Sequence, residues 1–223
     1  VTGASPAGTP SRALATRAGV ISGIAAPLIA WGLSAVVIAG WPGYDPVSES
    51  ISLLATAPLG WLQTVAFVMS GVLGAAWAFA LPRLLGTTTG QRRLVLGLLL
   101  VQAAIAIGFA LLPTDPSGAP VTTIGRLHLA NFYLYAITMP LTLLALGLVM
   151  RGDPAWRRAA GPTLVIAGLV VAAAVVVPAT VDGPLTPWLG LLERVYVALP
   201  SAWQVGAGIV AWRLLDNPVP PRS

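Results

Sequence analysis

Seven carboxylates, a single imidazole at His128 and no thiol are the acid–base and metal-binding inventory of this chain. Without Cys there are no disulfides, thiolate zinc sites, iron–sulfur clusters or cysteine nucleophiles. With one His, sites built on two or more imidazoles are excluded, including a zinc-dependent lipid hydrolase and paired-His haem ligation. No Gly-rich dinucleotide fingerprint is present. The expectation is therefore a chain with neither metal nor cofactor. What remains is acid chemistry by carboxylates among aromatic rings. Asp45, Glu49, Asp115 and Glu193 share one half of the chain's hydropathy pattern with Trp41, Tyr44, Trp61, Phe132, Tyr133, Tyr135, Trp188, Tyr196 and Trp203. A carboxylic acid kept neutral by desolvation can protonate an alkene or an epoxide. Ring faces then stabilise the carbocation that forms.

These groups are positioned by apolar segments. The 223 residues are 57% hydrophobic even with Gly left out of the count, and only 9% are charged. Soluble domains carry about 25% charged residues. Mean hydropathy is +0.85, and a soluble globule of this size could not bury so much apolar surface. The chain reads as an all-α polytopic membrane bundle. Six stretches match the roughly 20 residues that cross a bilayer: Ala18–Trp41, Leu59–Leu81, Arg93–Leu112, His128–Met150, Ala160–Ala179 and Leu189–Trp212. The first is too long, and too poorly followed by a small-residue cleavage site, for a signal peptide. Pro27, Pro140 and Pro200 fall inside spans and should kink them. Residues 1–16 and 216–223, rich in Pro, Gly, Ser and Thr, are expected as disordered tails flanking a transmembrane domain over 17–215.

Charge sorts by side. Every basic residue except Arg126 and Arg194 falls before the first span, in the second or fourth connection, or after the sixth. The positive-inside rule makes that face cytoplasmic, with both termini there and the protein in the cell membrane. Asp45, Glu49, Asp115, Asp182 and Glu193 fall on the opposite face. The pI of about 10.7 thus reflects topology, and nucleic acid is not an expected partner.

The first outer loop reads Gly43-Tyr44-Asp45-Pro46-Val47-Ser48-Glu49-Ser50-Ile51-Ser52-Leu53-Leu54. Asp45 followed by Pro46 predicts an N-cap and a short helix, with Val47, Ile51 and Leu54 on one face. That helix lies at the interface, or acts as a lid aiming Glu49 between the spans. The second outer loop runs from Pro113-Thr114-Asp115 to Gly125-Arg126-Leu127-His128. A polar stripe continues through Asn131, Tyr135, Thr138 and Thr142, at offsets 3, 7, 10 and 14 from His128. Such a stripe faces protein or a wet cavity, because lipid offers no hydrogen bonds. Gln63, Phe67, Ser70, Gly74 and Trp77 align on span two, Gln102 sits near mid-span three, and Glu193, Tyr196, Pro200 and Gln204 share a face of span six. Span five, without strong polar residues, is expected at the periphery.

The two loop segments resemble the DUF998 family of bacterial integral membrane proteins, over most of the chain. The shared pattern is a Ser-rich segment after the first span, a Pro-Thr-Asp, then a Gly-x-x-His; Leu112 stands where the family often has Phe. The resemblance implies a small multi-span fold and no established activity. It singles out Ser48, Ser52, Asp115 and His128 as shared polar positions.

The candidate catalytic groups are Asp115, Glu193, Glu49 and His128. Candidate binding residues are Asp45, Ser48, Ser52, Arg126, Asn131, Tyr135, Tyr196 and Trp203. Together they fit a membrane enzyme acting on an isoprenoid or lipid substrate, for example a terpene cyclase. A Ser-His-Asp hydrolase built from Ser48 or Ser52, His128 and Asp115 lacks a nucleophile elbow. Two other readings stand beside the enzyme. One is a proton-coupled transporter or other non-catalytic membrane protein. The other is an interhelical network bonding Glu193 or Asp115 to His128 or Arg126, within aromatic belts of the kind that form at every membrane interface. Ionisable groups at mid-membrane cost about 2.5–3.5 kcal/mol, so those that persist usually have a purpose.

Overall fold

A computed structural model describes residues 10–176 and 183–217. Asp182 and Arg222, assigned above to opposite faces, lie outside the described residues. Among the described residues there are six α-helices: α1 (Pro10–Ala39), α2 (Gly60–Leu84), α3 (Thr89–Leu111), α4 (Thr123–Gly152), α5 (Arg157–Val176) and α6 (Leu189–Asp216). No strand occurs among the described residues. All six are long and apolar enough to cross a membrane. α5 exposes Val165, Leu169, Val171, Val175 and Val176, and α3 exposes Leu94, Val101 and Leu111, an apolar outer face on each helix. That is stable only in lipid.

Local chemistry sets the helix starts. Thr88 and Gln91 form a reciprocal capping box at α3: the Thr88 hydroxyl accepts from the Gln91 N–H at 3.3 Å, and Gln91 Oε1 accepts from the Thr88 N–H at 3.0 Å. Thr122 caps α4 by accepting from the Gly125 N–H at 3.0 Å. Pro27, Pro82, Pro140, Pro162 and Pro200 all lie within helices.

Each helix packs on the next in sequence, and α6 closes back onto α1. The connections 85–88 and 153–156 are short, which makes α2 antiparallel to α3 and α4 antiparallel to α5. The basic residues Arg12, Arg17, Arg83, Arg92, Arg93, Arg151, Arg157, Arg158 and Arg213 collect at one end of this ring, and the loops bearing Asp45, Glu49 and Asp115 lie at the other. At the arginine-rich end Arg17 pairs with Asp216 at 3.3 Å and lies over the Trp212 ring. There too Asp153 accepts from the Gly86 N–H at 2.7 Å, and Trp156 Nε1 donates to the Leu84 carbonyl at 2.9 Å, tying two connections together.

Two boundaries differ from the sequence reading. Residues 10–16, expected in a disordered tail, form the first turns of α1, where the Thr16 hydroxyl donates to the Arg12 carbonyl at 3.0 Å. Asp216, expected in the other tail, ends α6 and is fixed by Arg17.

The helix expected from Asp45 is also corrected. Asp45 does cap, accepting from the Val47 N–H at 3.0 Å and the Ser48 hydroxyl at 2.6 Å. Glu49 Oε2 reaches back to the Asp45 N–H at 2.8 Å, so the motif closes on itself after one turn. A short 3-10 helix follows only at Ser52–Thr56. Its buried residues are the consecutive Ser52, Leu53 and Leu54, while Val47 is exposed.

Candidate functional site

The ring encloses a cavity of about 200 Å³. Five helices and the start of the 3-10 segment line it; α5 contributes nothing, as its lack of polar residues implied. The whole stripe predicted on α2 is on the wall: Gln63, Phe67, Ser70, Gly74 and Trp77. Glu193, Pro200 and Gln204 line it from α6, Gln102 from α3 and Tyr135 from α4. Glu193 and Gln204 stand eleven residues apart on α6, so the cavity runs about 16 Å along that helix at 1.5 Å per residue.

At its acid-rich end the cavity is roofed by the first loop, held by two adjacent residues of α6. Glu193, 7% exposed, accepts from the Ile51 N–H through Oε2 at 2.8 Å. Its Oε1 has no hydrogen-bond partner among the described residues. Arg194, roughly 100° further round the helix, points to the loop's outer side. Its Nη1 donates to the carbonyls of Pro46 (2.8 Å), Glu49 (2.9 Å) and Gly190 (3.0 Å). Its Nη2 donates to the Tyr44 hydroxyl, and the guanidinium lies over the Tyr44 ring. The Tyr44 hydroxyl in turn donates to the carbonyls of Ser50 (2.6 Å) and Glu49 (3.0 Å). Burial pushes the Tyr44 phenol up, against the lowering pull of Arg194. Gly190 lets the loop approach: a Cβ there would lie 2.2 Å from the Glu49 carbonyl oxygen. Both terminal nitrogens of the guanidinium are thus engaged by the loop and by the Gly190 carbonyl of α6, and it makes no ion pair with Glu193.

The far end holds two orphaned polar atoms. Gln102 Nε2 donates to the Thr138 and Thr142 hydroxyls at 2.9 and 3.2 Å. Those hydroxyls spend their own protons on the carbonyls one turn back, Leu134 and Thr138, both at 2.7 Å. They can only accept from Gln102, which fixes its amide and leaves Oε1 buried without a donor. Trp77 Nε1, on a side chain 1% exposed, is likewise unpartnered. Each such atom costs about 1–3 kcal/mol.

The remaining candidates separate clearly. Asp115 does not reach the cavity: it accepts from the Thr122 N–H (2.9 Å) and hydroxyl (2.8 Å). Those bonds hold its carboxyl below the usual range. Gly125 makes room for it, since a Cβ there would fall 1.9 Å from Asp115 Oδ2. His128 Nδ1 donates to the Leu112 carbonyl at 2.6 Å and its ring packs on Phe109, joining α3 to α4. Asn131 donates to the Ile105 carbonyl at 3.0 Å. Asp45, Ser48 and Glu49 are spent on their own turn, where the Ser48 and Val47 bonds lower the Asp45 carboxyl. Arg126 is exposed. The expected bonding of Glu193 or Asp115 to His128 or Arg126 is not formed. Trp203 turns away, donating to the Thr163 hydroxyl of α5 at 2.9 Å. Tyr196 stands behind the wall, its ring 5.4 Å from Tyr135 and 6.3 Å from Phe132. Of the proposed site residues, Glu193, Ser52 and Tyr135 meet at the cavity. The sequence places Arg194 on the outer face but gives no sign of its hold on the first loop; Gln63, Gln102 and Gln204, which could serve a transporter as a proton or cation path below the outer carboxylates, all line the cavity.

With this geometry in hand the class is a six-helix membrane bundle with a roofed internal cavity. Residues 24–210 match the family described as "Protein of unknown function (DUF998)", and the chain belongs to that family. No curated protein and no solved structure matches it.

Proposed function

We propose that the protein is a membrane-embedded enzyme that protonates an isoprenoid or lipid substrate held in this cavity, with Glu193 as general acid. One observation carries the reading: among the described residues Glu193 is the only carboxyl on the cavity wall, and its Oε1 is free to meet a ligand. Phe67, Phe109, Phe132 and Tyr135 supply ring faces on the same wall. Transfer of the carboxyl proton to an alkene carbon, or to an epoxide oxygen, would leave a cation for those rings to stabilise. Ring closure and return of a proton to the Glu193 carboxylate give a product of unchanged mass. The arginine distribution supports a cytoplasmic placement of both chain termini, so substrate would meet Glu193 from the half of the bilayer away from the cytoplasm.

The test is mass spectrometry of lipid extracts from cells supplied with prenylated substrates and expressing wild type, Glu193→Gln or empty vector. An isomer made by wild type alone is the expected result. Identical extracts, from membranes shown to contain folded protein, would overturn the enzyme and favour the transporter or non-catalytic reading.

A further inference from the structure

We propose that the cavity binds a lipophilic organic cation, an ammonium-headed amphiphile whose head sits against Glu193 and whose apolar tail lies along the apolar wall of the cavity, beside Ala30, Phe67 and Ala106. Glu193 is a buried carboxyl with one oxygen committed to the loop and the other unpartnered. Its chain neighbour Arg194, the nearest cation in sequence, turns both Nη1 and Nη2 to Tyr44, Pro46, Glu49 and Gly190 and makes no ion pair with it. Arg126, the other arginine at this end, is exposed. No protein cation therefore pairs with the carboxyl, among the described residues.

The surrounding wall suits a positive charge. Phe132 and Tyr135 line it from α4, Trp31 from α1 and Phe109 from α3. Tyr196 backs Tyr135 one turn of α6 beyond Glu193. Aromatic faces attract ammonium groups most strongly where water is excluded. An ammonium also has the charge and the shape of the carbocation that Glu193 would generate. The inference deepens the proposed enzyme in one respect, since such an amine would mimic its charged intermediate. It does not depend on turnover, because binding needs only the carboxyl and the rings.

The experiment uses the full chain in nanodiscs of zwitterionic lipid, with protein-free nanodiscs as the partition control. Octyltrimethylammonium is compared with its uncharged isostere, in which carbon replaces nitrogen, by equilibrium dialysis. The cation should bind wild type about tenfold or more tightly than the isostere. Glu193→Gln keeps an acceptor for the Ile51 N–H, and hence the loop clamp, yet should lose that preference; Glu193→Asp should retain part of it. Equal binding of the two probes, no binding of either, or a preference unchanged in Glu193→Gln would each overturn the proposal. Cation binding without any product in lipid extracts would sink the enzyme alone. A Glu193-dependent product without cation preference would sink the cation site alone.

Discussion

Asp115 and Gly125 act as one unit although ten residues separate them. The carboxylate caps the start of α4 through Thr122, and only a missing Cβ at residue 125 admits it. Gly125→Ala should therefore destabilise the fold by about 1–3 kcal/mol through the displaced cap, measured as a drop in Tm in detergent, while Gly152→Ala, which meets open space, should not. Because these bonds favour the ionised form, the folded Asp115 carboxyl titrates below its unfolded value. Its stabilisation is complete above the ordinary carboxylate range and is lost as pH falls through the folded value. A Tm profile against pH should fall at the acid end in wild type, and that part of the fall should be absent in Asp115→Asn. The residue scale is also where the sequence was least legible. Asp115, Glu49 and Asp45 look alike as outer acids, but each is spent within seven residues of itself, a matter of turn geometry. Trp203 and Gln204 are neighbours in sequence, yet one step of 100° sends the indole to α5 and the amide to the cavity.

The first loop and the start of α6 behave as one element. Arg194 donates to three carbonyls and a phenol, and Glu193 accepts from Ile51. Removing a charged donor with several partly buried partners costs about 1.5–3 kcal/mol, so Arg194→Met should loosen residues 44–54. Hydrogen exchange at the Glu49 and Ile51 amides reports it; unchanged protection would show that the apolar packing of Leu53 and Leu54 suffices. Arg194→Lys should not restore protection, because a single ammonium cannot reach both sides of the loop. At this scale helical periodicity told nearly everything about the spans. All six were legible to within a few residues at most ends, because crossing a bilayer demands length and apolarity together. The α2 stripe was legible for the same reason. The loop was not: Asp45-Pro46 is a sound helix start, but Glu49 returns to the Asp45 N–H and ends the turn, and the pull of Arg194 is a contact across 148 residues.

Taken whole, the protein is a ring with a charged rim at each end and lipid-facing sides. The arginine-rich rim should lie in the cytoplasm. A Cys at Ser117 should then react with an impermeant thiol reagent in intact cells, and one at Thr89 should not, against a background with no native Cys; the reverse pattern would invert the bundle. The closure of α6 onto α1, sealed by Arg17, Asp216 and Trp212, has a consequence for the chain's covalent order. Every helix has its sequence neighbours on both sides, the first and last included, so the architecture is cyclic even though the backbone is linear. Circular permutation is therefore open to it: joining Asn217 to Pro10 through a short Gly/Ser linker and cutting beside the exposed turn at Gly118 (φ 75°) leaves every helix its neighbours. Such a permutant should keep its roofed cavity and assemble from a different first helix.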